Sequence, residues 1–192
     1  MSTPCELLER YVEAKDFTRP ALMPAIYQPD AVLTYTIATE AIDFPPRTEG
    51  IAAITRTLIT DFALKFGDCR TYYVCDALPA DTQAMAVVPW LVVMQEVGAG
   101  QLRIGRGLYR WTFASDTVAS KRVSAMHIHI DRMDRIADAD GAIREAVQSV
   151  LPYPWLLPAI LRREMEALSR GGAAFAFLRD FTTPLPDDST AG

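Results

Sequence analysis

Histidine is scarce in this chain: His127 and His129 are the two in 192 residues. Cysteine is scarce as well, and Cys5, Cys69 and Cys75 neither pair off evenly nor fall at the spacing of a metal motif. A structural zinc site is therefore disfavoured, and a reducing compartment, the cytoplasm, is the simplest expectation. Runs of Lys or Arg are missing and the net charge is −5. Phosphate binding needs a concentrated positive surface, so no nucleic-acid partner is expected. No apolar window approaches the length of a membrane span, so no membrane association is expected either. The first residues, Met1-Ser-Thr-Pro-Cys-Glu6, carry neither the basic start nor the apolar run of a signal peptide.

What the chain does have is apolar mass. Half of its residues are hydrophobic and 22% are charged. That suits one domain with a sizeable core plus an appendage.

The order of elements follows from periodicity. Thr3 to Glu6 is a capping box with Pro4 in the first turn, and Leu7, Leu8, Tyr11 and Val12 fall on one face of a helix running to about Lys15. A short helix over Thr18–Tyr27 is weakened by Pro20 and Pro24. Ala31–Ala38 alternates and is rich in Val, Thr, Tyr and Ile, which predicts a strand. Thr48 is placed to cap a long helix with Ile51, Ile54, Leu58 and Phe62 as its buried stripe, and Gly67-Asp68 to stop it. The period then becomes two. Strands are predicted over Cys69–Leu78, Gln83–Val97, Gln101–Ala114 and Val118 to about Asp131, joined by turns at Pro79–Thr82, Gly98–Gly100 and Ser115–Thr117. Consecutive hairpins imply antiparallel neighbours, and grouped helices imply an α+β fold. Gly105, Gly107 and Pro89 are the expected bend points. After Gly141 the pattern turns helical again over Ala142–Val150 and Ala159–Ser169, and Ala173–Phe181 is apolar. Thr182–Gly192 is short, polar and terminal, which predicts disorder.

This order resembles the nuclear transport factor 2-like superfamily, in its SnoaL-like and scytalone dehydratase-like branches, over about Leu7 to Ile136. The segments that carry the resemblance are Tyr27-Gln-Pro-Asp-Ala-Val, Glu49-Gly-Ile-Ala-Ala-Ile, Arg70-Thr-Tyr-Tyr-Val and Gly107-Leu-Tyr-Arg-Trp-Thr-Phe. It implies a cone: a strongly curved antiparallel sheet wrapped around N-terminal helices, with a ligand pocket on the concave face. The cone domain would span 1–140 and a helical extension 141–192. The superfamily hosts lyases, isomerases, hydrolases and plain binding domains. Ketosteroid isomerase-like members carry a carboxylate base on the first strand, where this chain has Tyr35. Dehydratase-like members carry a His after the long helix, where this chain has Tyr73, with Tyr72 the other match. SnoaL-like members often carry an Asp two residues after the Tyr of Gly-x-Tyr, where this chain has Trp111 after Tyr109. The dehydratase-type phenol is retained as Tyr35. The resemblance thus implies a kept pocket whose usual acid and base are replaced.

Candidate site residues follow from both readings. Tyr35, Tyr73, Tyr109, Trp111 and Phe113 can share the concave face, with Leu58 and Phe62 of the long helix closing it. They form either an aromatic pocket with phenols as donors to a carbonyl or enolate oxygen, or ordinary core. His127 and His129 lie opposite the apolar trio Met126, Ile128 and Ile130. Facing outward, they belong to a surface or subunit contact; in the reverse register they are the best bases in the protein, or two ligands of a metal. Asp30 either orients a pocket residue or serves a turn. Arg106 and Arg110 lie opposite Tyr109, in solvent or in cross-strand ion pairs. Cys69 and Cys75 have no evident base beside them.

Three functions fit: a cofactor-independent lyase or isomerase with Tyr35 or Tyr73 polarising an oxygen and His127 or His129 moving a proton, a non-catalytic protein that holds a small hydrophobic molecule, or a structural dimer. Neither a cofactor nor a metal is expected. Because Gln83–Val97 is apolar on both faces, something must cover the convex face, and a homodimer through it is the expected cover. The apolar, proline-broken segment Leu151–Leu161 is expected to fold over the helical end of the cone as a lid or wall, or to clasp a partner subunit.

Overall fold

A computed structural model describes residues 2–117 and 120–186. Helix α1 (Pro4–Asp16) opens with the full capping box, the Thr3 hydroxyl accepting from the Glu6 amide and the Glu6 carboxylate from the Thr3 amide, both at 3.2 Å. Its buried stripe is Leu7, Leu8, Tyr11 and Val12, and it continues one turn further onto Lys15. Prolines 20 and 24 break the next stretch into a 3₁₀ turn (Pro20–Leu22) and the single-turn α2 (Met23–Ile26). Strand β1 (Tyr27–Ile37) starts earlier than the alternation of Ala31–Ala38 suggests, because Tyr27 already pairs with Val123 before a bulge resets the register at Val32.

Thr48 is not a helix cap. It sits in the edge strand β2 (Arg47–Glu49), opposite Leu33 of β1, and Gly50 takes the capping position with φ of 81°. The helix that follows is continuous but irregular: α3 (Ile51–Thr55), a π-helical stretch (Arg56–Thr60) and α4 (Asp61–Lys65). Ile54, Leu58, Ile59 and Phe62 are its buried residues. Gly67-Asp68 does not stop this helix either. The chain passes directly into β3 (Phe66–Val74), and a bulge between Gly67 and Arg70 shifts the register inside that strand.

Strands β4 (Met85–Glu96), β5 (Gln101–Thr117) and β6 (Ser120–Ala137) complete the antiparallel run from β3. Ser115–Thr117 belongs to β5 rather than to a turn, and β6 continues well past Asp131. Val118, where the last strand was expected to begin, lies outside the described residues. The sheet order is β2-β1-β6-β5-β4-β3-β7. Strands β1 and β6 run parallel, as do β3 and β7, so the otherwise antiparallel sheet contains two parallel pairs. Gly105 and Gly107 flank a register shift in the β5–β6 pair, between Arg106 and Gly107. A Cβ on Gly107 would collide with the His129 carbonyl oxygen and the Trp90 ring, so the indole lies directly against bare backbone.

Two cores result. On the concave face α1, α2 and the α3–α4 helix pack over Val88, Trp90, Val92, Tyr109, Trp111, Ile128 and Ile130. The convex core is built by the C-terminal extension: α5 (Ala142–Val150), β7 (Trp155–Leu156), α6 (Pro158–Ser169) and 3₁₀ turns over Ala173–Phe181. Val147, Leu161, Met165 and Leu178 cover Tyr72, Leu91, Val93, Leu102 and Ile104. The second apolar face of β4 at Leu91 and Val93, the motive for expecting a dimer, is thus covered by the chain's own helices. The Asp138 carboxylate starts α5, accepting from the amides of Ile143 and Arg144, each at 3.0 Å. Leu151–Leu161 contributes no residue to the cavity wall inside the cone, although Tyr153 and Trp155 reach α1 through Asp16 at 3.1 Å and Glu9 at 2.7 Å. It runs along the free edge of β3 as β7, and then α6 crosses the convex face. Of the terminal polar stretch, 182–186 has no regular structure and 187–192 lie outside the described residues. Among the described residues no helix is long and apolar enough to cross a membrane.

The extension's grip on the sheet can be measured. Met165 is 0% exposed, and Met165→Ala is expected to cost about 2–5 kcal/mol in urea unfolding. An unchanged midpoint would show that α6 is not held against β4 and β5.

Candidate functional site

The charged centre of the molecule lies where α1 ends. Lys15 is 6% exposed and the Asp16 side chain is fully buried. The Lys15 ammonium donates to Asp16 Oδ1 at 2.9 Å and to Cys69 Sγ at 3.2 Å, and sits 4.7 Å from the centre of the Phe62 ring. Asp16 also accepts from the Thr71 amide (2.6 Å), the Thr71 hydroxyl (2.9 Å), the Cys69 thiol (3.3 Å) and the Tyr153 hydroxyl (3.1 Å). Burial is the largest influence on Lys15 and opposes its charge, but Asp16, by its charge and its hydrogen bond, together with Cys69 and Tyr11 outweighs burial and holds the ammonium protonated well above the usual lysine range. Burial, then the neighbouring Asp16 charge, pushes the Cys69 thiol up to about 12. Cys69 is therefore a thiol and not a nucleophile at neutral pH.

Lys15 faces into the cone. A small cavity of about 40 Å³ is lined there by Tyr11, Lys15, Tyr35, Leu58, Phe62, Trp90, Val92, Met94, Tyr109, Ile128, Ile130 and Met133, together with Ile42 and Phe44. The Tyr35 hydroxyl and the Trp90 indole N–H are buried without a hydrogen-bond partner among the described residues. Burial pushes the Tyr35 phenol far above its ordinary range, and the Lys15 charge offsets that only in part. The phenols of Tyr11 and Tyr109 are likewise raised, chiefly by burial. Every titratable group lining the cavity is thus held in its protonated form, and the cavity presents donors.

Outside lies a second, open cleft of about 540 Å³ between the 41–45 loop, α4 and the β4–β5 end, with Phe66, Glu96, Val97 and Arg103 on its walls. Ile42, Phe44 and Phe62 line both spaces. The Phe44 ring lies flat on Tyr35, with centroids 4.7 Å apart and planes 1° from parallel.

Of the residues predicted from sequence, the structure brings Tyr35, Tyr109, Leu58 and Phe62 to the cavity. Trp111 and Phe113 are buried in the same core but do not line it. Tyr73 is a correction: its hydroxyl donates to the Leu8 carbonyl at 2.9 Å, a bond that fastens β3 to α1. His127 and His129 are a second correction. Met126, Ile128 and Ile130 point into the core, so both imidazoles lie on the convex face among hydroxyls. His127 lies 2.8 Å from Thr34 Oγ1 and 3.0 Å from Thr36 Oγ1, and His129 lies 2.8 Å from Thr36 Oγ1. Asp30 is exposed at the start of β1 and does not reach the cavity. Arg106 makes the expected cross-strand pair, with Asp131 at 2.9 Å. No group of His, Cys, Asp and Glu among the described residues could hold a metal. Sequence reasoning missed Lys15, Asp16, Trp90 and Phe44. The first was findable, because Leu7, Leu8, Tyr11, Val12 and Lys15 are one helical stripe.

No family model and no curated protein matches this sequence. Its likeness is to solved structures. A nuclear transport factor 2-like superfamily protein from Salmonella enterica subsp. enterica serovar Typhimurium str. LT2 superposes with a TM-score of 0.52 at 18% identity, covering 65% of this chain and 85% of that one. LinA gives 0.56 at 14% identity, over 68% and 85% of the two chains. The hexachlorocyclohexane dehydrochlorinase LinA-type3 from Novosphingobium barchaimii LL02 gives 0.54 at 13%, over 68% and 86%. At such identities the likeness is one of fold: this chain has the α+β cone of the nuclear transport factor 2-like proteins.

Two measurements test this arrangement. Asp16→Ala would leave the Lys15 ammonium buried without its carboxylate and is expected to cost about 3–5 kcal/mol of stability. The double change Lys15→Met/Asp16→Asn should recover part of that loss in the same unfolding assay. The second concerns His127. Burial, then Arg110 and His129, lowers its pKa below the ordinary imidazole value of about 6.5. The fold therefore prefers neutral imidazole. That contribution is complete above about pH 6.5 and is lost as pH falls through the native value. The unfolding midpoint should drop across that window, and His127→Gln should flatten the drop.

Proposed function

We propose that the cone holds a small, apolar molecule bearing one acceptor oxygen, placed between the Tyr35 hydroxyl and the Lys15 ammonium. The observation that carries this reading is the Tyr35 hydroxyl, buried in a cavity wall without a partner. An orphaned buried hydroxyl costs about 1–3 kcal/mol, a cost that a ligand acceptor would offset. The ammonium has three donors, of which Asp16 and Cys69 take two. The surrounding wall, Val92, Ile128, Ile130 and Met133, selects for an apolar body.

Holding the molecule is the reading favoured over transforming it. The cavity supplies donors but no free base: Asp16 is saturated by its own contacts, and His127 and His129 are on the other side of the sheet. A cofactor-independent lyase or isomerase is the second reading. In it Tyr35 and Lys15 would polarise a carbonyl and stabilise the developing oxyanion, and the proton acceptor would come from the substrate or from water. The fold is one that enzymes use, as the dehydrochlorinase likeness illustrates.

Tyr35→Phe is expected to weaken 2-naphthol binding by about 1–2 kcal/mol in calorimetry while leaving the fold intact. Tyr73→Phe should do the reverse, lowering stability through the lost bond to Leu8 and leaving affinity unchanged. Equal affinities for wild type and Tyr35→Phe would remove Tyr35 from the site.

A further inference from the structure

The cavity as it stands, about 40 Å³, is too small for any organic ring; a dry cavity that admits benzene is nearer about 150 Å³. The space that a ring needs is filled by Phe44. Its side chain lies parallel to Tyr35 at 4.7 Å, in the position a flat ligand would take beside the Tyr35 hydroxyl. We infer that Phe44 is a displaceable occupant of the binding site, and that the natural ligand is a flat ring compound that takes its place against Tyr35. This inference rests on the proposed function of the cone and names the shape of what the cone receives.

Three observations support displacement. First, Phe44 lines both the inner cavity and the cleft of about 540 Å³, together with Ile42 and Phe62, so moving it would open the inner cavity toward a space of the size usual for small-molecule sites. Second, the loop is anchored only at its ends. The Ala38 amide donates to the Ile130 carbonyl at 2.9 Å, Arg103 donates to the Ala41 carbonyl at 3.1 Å, and the Tyr35 amide donates to the Pro46 carbonyl at 3.1 Å. Between these anchors, Ile42, Asp43, Phe44 and Pro45 make no backbone hydrogen bond among the described residues. The ring can therefore swing out without breaking a ladder. Third, the phenylalanine satisfies the shape of the site but not its chemistry. It offers no acceptor to the Tyr35 hydroxyl, which keeps the site's preference for a ligand with an oxygen. A flat ring with an oxygen at its edge replaces the stack that Phe44 gives up and adds the bond that Phe44 cannot make.

A site that is open only part of the time shows an affinity reduced by the open fraction. Truncating the occupant should remove that reduction. The test is 2-naphthol binding to wild type, Phe44→Ala and Phe44→Leu by calorimetry, with association rates by stopped-flow, and circular dichroism to establish folding. Phe44→Ala is expected to bind about tenfold more tightly and to associate faster. Phe44→Leu keeps the bulk but loses the flat stack. It should fall between the two, and it carries the test if the alanine variant does not fold. Cyclohexanol, which cannot stack, should gain less than 2-naphthol. If wild type and both folded variants bind 2-naphthol with the same affinity and rate, the displacement idea is overturned while the cone remains a binding site. If none of them binds it, both the displacement idea and the proposed function fall.

Discussion

The buried pair of Lys15 and Asp16 is the contact on which the rest of the architecture depends. Two opposite charges shielded from water are favourable only when each remaining donor and acceptor is met. Here the requirement recruits three separate parts of the chain. Lys15 and Asp16 end α1, Cys69 and Thr71 come from β3, and Tyr153 comes from the extension that returns from the far side of the sheet. The pair thereby fixes the depth at which α1 lies in the cone. It also sets the edge along which the extension runs, since Tyr153 reaches Asp16 only while Trp155 and Leu156 pair with Tyr73 and Val74.

The same pair decides the chemical character of the cavity. An ammonium on one wall, with its saturated carboxylate partner outside the lining, leaves the cavity facing donors. The phenols cannot supply a base, because burial raises all of them. The two sides of the sheet are accordingly unlike. Inside are aromatic rings and hydroxyls short of acceptors. Outside, around β1 and β6, imidazoles and threonine hydroxyls satisfy one another in a line from Thr34 to His129.

Much of this was legible in the sequence, for identifiable reasons. The period-two pattern from Cys69 onward predicts the hairpins, and the alternation of Met126, Ile128 and Ile130 with the histidines settles which face each set takes once the core side is known. Thr48 misled because a threonine before an apolar stripe is a good cap, yet three residues are enough to form an edge strand when β1 offers a free side. Gly67-Asp68 misled because the same residues that end helices also form bulges. Tyr73 was nominated from a resemblance in order, but a strand position does not say whether a hydroxyl meets a ligand or a helix carbonyl. Phe44 was invisible for a different reason. It lies in a proline-flanked loop with no periodicity, and its place depends wholly on tertiary packing.

The two margins of the sheet have a consequence for how the protein behaves in concentrated solution. One margin is β2, three residues long and faced with the Arg47–Glu49 ion pair at 2.7 Å. The other is β7, two residues long, followed after Leu157 by Pro158 at the head of α6. Long strands with unpaired amides are templates for runaway strand addition, and this sheet keeps its four longest strands inside. Edge-to-edge strand addition is therefore blocked where these short strands pair, at Val32–Thr34 of β1 and at Tyr73–Val74 of β3.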